Sequence, residues 1–184
     1  MENLILEYQL LKEEIRQKIE IYNSLVSFTI TTSVAVLTYA LSANKTILYL
    51  LPFGIIIPMS MRIAYYKLSI AKLSAYIIVF IEKKTVGLKY ETRNRHINTK
   101  KERGLLRFII FKDYECLILS ITTYLLYVLS YIKNKSVSLD FHLLWPLSFV
   151  VYEYIVMRKI RLIDKDKDKW IKKWAIVAHE ENQG

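Results

Sequence analysis

Charged residues are absent from Ile21 to Asn44 and again from Thr46 to Met61, two runs separated only by Lys45. The first run is long enough to cross a hydrocarbon core about 30 Å thick. The second becomes long enough when Arg62 snorkels and Ile63, Ala64 and Tyr65 extend the helix. Pro52 and Pro58 predict a kink there, because neighbouring helices can satisfy freed carbonyls in a membrane. A third uncharged run covers Cys116 to Ile132, with Tyr114 and Tyr131 placed for the interfaces. A fourth apolar stretch, Phe141 to Met157, contains Pro146 and Glu153 and reads as a span, with a helix lying on the membrane as the alternative.

The polar stretches carry helical periodicity of their own. Leu4, Tyr8, Leu11, Ile15, Ile19 and Tyr22 recur every three or four residues, so an amphipathic helix should run directly into the first span. Glu14 and Lys18 are spaced to pair along it. Tyr66, Ile70, Leu73, Ile77 and Phe80 continue the second span as a striped helix, which Gly87 should end. Residues 89–104 read as a basic loop, and Leu105 as the start of a helix leading into the third span. In the tail, Ile163, Trp170, Trp174 and Val177 can share a face. Asp164, Asp166 and Asp168 imitate a calcium loop, but Lys169 and Ala175 stand where its glycine and bidentate acid belong.

The predicted fold is therefore an all-α integral membrane protein with four transmembrane helices, an N-terminal amphipathic helix and cytoplasmic helical extensions. Its segments are a cytoplasmic helix at 1–22, spans at 23–43 and 46–65, a basic segment at 66–113, spans at 114–132 and 141–158, and a tail at 159–184. The 184 residues suggest one membrane domain, with tight turns at Ser42–Thr46 and Lys133–Asp140.

Charge now adds topology. The formal net charge is +10, and 24 of the 27 lysines and arginines lie outside the two tight turns, in residues 1–23, 62–113 and 158–184. That asymmetry predicts both termini and the basic segment in the cytoplasm. It accounts for the excess without a nucleic-acid ligand. The opening residues mix acids and bases and lack a cleavage site, so insertion by internal helices is expected.

Little catalytic chemistry is offered. Cys116 is the sole cysteine, the three histidines are far apart, and four glycines build no phosphate cradle. No enzyme activity, cofactor or metal site is expected. Within the spans, Ser24, Ser27, Thr31, Thr38 and Ser42 follow one helical face, which suits either close helix packing or a water-lined path. Ser120, Thr123, Tyr127 and Ser130 form a weaker version in the third span. Glu153 is costly inside a span and should face protein or water, as a cation-attracting group or as a carboxylate near Arg158 and Lys159. So few helices enclose a path only around a shared axis, which suggests a homo-oligomer such as a tetramer.

Three stretches, FTITTSVAVLTYALS, LLPFGIIIPMSMRIAYYKLSIAKLSAYIIVFIE and GLKYETR, resemble in style and order small membrane effectors found with nucleotidyltransferases in bacterial anti-phage operons. SLATT-type effectors and the membrane partner of the Hailong system are the nearest comparisons. The resemblance covers roughly residues 5–95 and includes no catalytic signature. It implies a pore-forming effector of the bacterial inner membrane that depolarises its own cell. It also implies control by a nucleotide or single-stranded oligonucleotide from a nucleotidyltransferase partner. Arg93, Arg95, Lys100, Lys101 and Arg103 would then neutralise phosphates, with Tyr90 available for stacking. The competing expectation is a non-conducting anchor or scaffold that recruits a soluble partner. A transporter ranks third, since no inverted repeat relates the halves.

Overall fold

The computed structural model describes residues 2–85, 89–93, 114–134 and 141–181. Every regular element among them is helical. Helix α1 spans Glu2–Ala43, 42 residues without glycine or proline. At 1.5 Å per residue it is about 63 Å long, roughly twice a hydrocarbon core. The amphipathic segment and the first apolar run are therefore one rod, as their patterns predict. The rod stops at Asn44, whose φ of 50° places it in the left-handed region that asparagine tolerates.

A 3-10 turn at Thr46–Leu50 leads into α2, Leu51–Tyr76. Pro52 falls in the first turn of α2, where its missing N–H has no helical partner to lose. Pro58 lies inside the helix. The helix continues past residue 65 as the periodicity predicts, and it ends in a π-helical turn, Ile77–Glu82, all six residues of which are buried. Its end comes before Gly87, and residues 86–88 lie outside the described residues. Helix α3 spans Glu115–Asn134. The stretch expected as one span over 141–158 is divided into a short α4, Phe141–Leu144, and a long α5, Leu147–Glu181, by a turn at Trp145–Pro146. Proline cannot donate into a preceding turn, and the backbone N–H groups of Ser148 and Phe149 bond instead to the Trp145 and Pro146 carbonyls at 3.1 Å each. Residues 164–168 lie within α5, so the imitation calcium loop is helix. The helix expected from Leu105 and the turn at 135–140 fall outside the described residues.

Among the described residues, three helical stretches are long and apolar enough to cross a membrane: Asn3–Ala43, Thr46–Glu82 and Glu115–Lys133. Helix α5 is not among them, because Glu153, Arg158, Lys159 and Arg161 interrupt its apolar half.

Contacts divide the chain into two compact units. The first comprises Met1–Tyr22, Tyr65–Ile110 and Ile160–Gly184, and the second Asn23–Ala64 and Phe111–Lys159. The core of the first unit is Ile15 of α1 with Ile77, Val79, Phe80 and Ile81 of the π-helical turn. Tyr8, Leu11, Ile70, Leu73 and Trp174 close around it, so the middle of the α1 stripe meets the α2 stripe from Ile70 to Phe80 in one core, while Ile19 is exposed. Tyr76 stacks on Phe80 at 4.7 Å, and Trp174 meets both rings edge-on. Glu14 and Lys18 form their expected pair at 3.2 Å.

The second unit buries different chemistry. Thr29, Ser33, Ser60, Ser120, Thr123 and Glu153 are enclosed, together with Phe53, Ile56 and Leu37. Phe53 packs on Phe149 at 5.2 Å, and Thr46 and Ser130 share a hydrogen bond of 3.0 Å. Large apolar side chains such as Phe28, Leu41, Met61, Leu125, Leu129 and Ile155 point outward. This inverts the usual distribution of a water-soluble domain, in which hydroxyls and carboxylates take the surface.

Candidate functional sites

Two polar constellations stand out, one in each unit. In the first, Glu91 lies on a helical turn at residues 90–93 and is almost fully buried. One carboxylate oxygen receives Lys12 Nζ from α1, and the other receives the Ser74 hydroxyl of α2. Lys167 of α5 donates to Ser74 Oγ at 2.6 Å and lies 3.3 Å from the same Glu91 oxygen. Burial alone would raise the Glu91 pKa. Hydrogen bonds from Lys12 and Ser74, together with the Lys167 and Lys12 charges, outweigh it and hold the carboxyl below its ordinary value of 4.5.

Glu82, the last residue of the π-helical turn, holds the same short turn from its other side. Its Oε1 accepts the Glu91 N–H at 2.6 Å, and its Oε2 accepts the Thr92 N–H at 3.0 Å and the Thr92 hydroxyl at 2.6 Å. A carboxylate accepting the free N–H groups at the start of a helical turn is an N-cap in function. The π-helical geometry is rare and tends to occur where a helix has a task besides packing. Here it ends the helix with Glu82 aimed at residues 91 and 92.

Of the residues expected to receive a nucleotide, Tyr90 and Arg93 are on this turn, and both are exposed. Lys12 Nζ lies 3.9 Å from the centre of the Tyr90 ring, so one face of that ring already carries a cation. Arg95, Lys100, Lys101 and Arg103 lie outside the described residues.

The second constellation concerns the hydroxyl-bearing faces of α1. Ser24, Ser27, Thr31, Thr38 and Ser42 are all exposed. Thr38 donates to the Val34 carbonyl at 2.9 Å and Ser42 to the Thr38 carbonyl at 3.1 Å. The opposite face of the helix, Thr29, Ser33, Leu37 and Ala40, is the one buried in the unit. Glu153 is enclosed with that inner set, so it does not share a surface with the Ser24–Ser42 stripe. Ser60 contacts it at 2.6 Å. Ser33, Ser120, Thr123 and one oxygen of Glu153 are buried with no hydrogen-bond partner among the described residues.

Sequence reading did not single out Thr29, Ser33, Ser60, Lys12, Ser74, Glu82, Glu91 or Lys167. Thr29 and Ser33 had a visible signal, since their spacing continues through Leu37 and Ala40 as a second stripe. The Glu91 cluster had none, because its bonded pairs are separated by 17 to 93 residues. No known family model, curated protein or solved structure matches the chain.

Proposed function

We propose that this chain is one subunit of a homo-oligomeric pore in the bacterial inner membrane, with its first unit in the cytoplasm. The observation that carries the reading is the exposed Ser24, Ser27, Thr31, Thr38 and Ser42 stripe. Hydroxyls on an apolar helix gain nothing from lipid, whereas a water-filled path or a neighbouring helix can bond them. Copies arranged about an axis with this stripe inward would line a path without fixed charge. The outward Leu125 and Leu129 of α3 would then meet lipid. Helix α5 contributes the fourth crossing, supported by exposed Val151 and Ile155 on either side of the buried Glu153.

In this reading the pore serves anti-phage defence by depolarising the cell. A nucleotide or oligonucleotide from a partner nucleotidyltransferase controls it through the basic segment that begins at Tyr90 and Arg93. Both termini lie inside, as the lysine and arginine distribution favours.

Ion flux from vesicles containing the purified chain tests the conduction claim. Ser27→Leu with Thr31→Leu should abolish flux while the protein still inserts and assembles. An unchanged flux in the double variant would remove the stripe from the path. If the wild type conducts nothing and instead retains a soluble partner, the protein is an anchor.

A further inference from the structure

Glu153 is completely enclosed within the second unit, and among the described residues its carboxyl has one hydrogen-bond partner, Ser60. The other oxygen, Oε2, has no partner among the described residues. No ion pair among the described residues includes Glu153.

The hydrogen count around Ser60 is informative. Its Oγ lies 2.9 Å from the Ile57 carbonyl and 2.6 Å from Glu153 Oε1. A serine hydroxyl has one hydrogen, and a carbonyl oxygen can only accept. With that hydrogen on Ile57, the shorter contact needs its hydrogen from Glu153, which must then be a carboxylic acid. An ionised Glu153 would take the hydrogen away from Ile57 and still bury a charged Oε2 with no donor, an arrangement that apolar surroundings penalise heavily.

We propose that Glu153 is a proton-binding site, a neutral carboxylic acid that donates to Ser60 and joins α5 to α2. When the two helices part and water enters, the acid gives its proton to water and becomes a carboxylate. The joined arrangement binds one proton more than the parted one, so alkaline conditions favour parting.

The groups around it agree with this assignment. From α3 the nearby titratable group is the buried Cys116 thiol, which senses the Glu153 carboxyl. The stretch of α1 in this unit carries no acid or base from Asn23 to Asn44. On α2, Arg62 is exposed, and so are Arg158 and Lys159 on α5 itself.

Two measurements on the full chain in lipid bilayers test the site, and neither requires conduction. Infrared difference spectra, wild type minus Glu153→Gln, should contain the C=O stretch of a protonated carboxyl at neutral pH. The band should shift in deuterated water and change frequency in Ser60→Ala. The second measurement uses the wild type alone and survives any folding defect in the variants. An apolar carbodiimide, which reacts with protonated carboxyls, should modify Glu153 at neutral pH, as read by peptide mass spectrometry. The modification should fall about tenfold per pH unit above the titration point. A carboxylate band in place of the acid band, or no modification at Glu153, would overturn the proposal.

Discussion

The two units spend their buried polar groups in opposite ways. In the first, the Glu91 and Glu82 carboxylates bring together α1, α2, the turn at 90–93 and α5, and each of their oxygens has a donor. The Thr85 hydroxyl and the Trp174 indole N–H are its exceptions. In the second, Ser33, Ser120, Thr123 and half of the Glu153 carboxyl have none among the described residues. A satisfied buried network favours one arrangement of its elements, because breaking it strands charges. An unsatisfied one loses little when its helices move, and it can gain from water or from another subunit. The difference is one of bonding: the buried carboxylates of the first unit are fully donated to across four segments, whereas the buried hydroxyls of the second leave donors and acceptors that water or another subunit could meet.

Breaking the tighter network should have the largest effect. Glu91→Ala leaves Lys12 and Lys167 without their shared carboxylate and should cost about 3 kcal/mol of stability in the first unit. Reversible unfolding in mild detergent, followed through Trp170 and Trp174 fluorescence, would measure it. Glu82→Ala frees two N–H groups and a hydroxyl and should cost about 2 kcal/mol by the same assay. A loss below a few tenths in both variants would erase the contrast between the units.

Acid should act on the first unit through Glu91. Its folded pKa is held below the ordinary 4.5 by Lys12, Ser74 and Lys167 against the cost of burial. The group therefore contributes stability above about 4.5, and the contribution fades as pH falls through the lower folded value. Acid titration of the unfolding midpoint should show a limb that Glu91→Gln removes.

The smallest effects are expected from the inner hydroxyls of the second unit. Ser33→Ala and Thr123→Val remove groups with no partner and should change stability by no more than about 0.5 kcal/mol, with stabilisation as allowed an outcome as loss. A loss of 1–2 kcal/mol in either variant would show that the hydroxyl finds a partner in the assembled protein.

Local order was legible in the sequence because it depends on spacing and hydropathy. The uninterrupted rod of α1, the extension of α2 beyond residue 65 and the limits of α3 all follow from apolar runs, stripes and the lack of helix breakers. Three helices with the length and apolarity to cross a membrane could be read the same way. The division of the fourth stretch at Trp145–Pro146 had its signal in Pro146, whose effect on the following helix depended on where the chain turned.

Tertiary structure decided which face of α1 is interior. Two hydroxyl stripes, one through Thr31 and one through Thr29 and Ser33, satisfy helical spacing equally well, and only packing could choose between them. It also decided that Glu91 meets Lys12, Ser74 and Lys167, since ion pairs between distant segments leave no periodic mark in a chain. Periodicity records how one helix divides its own faces, whereas the partner of each face is fixed only when the helices pack together.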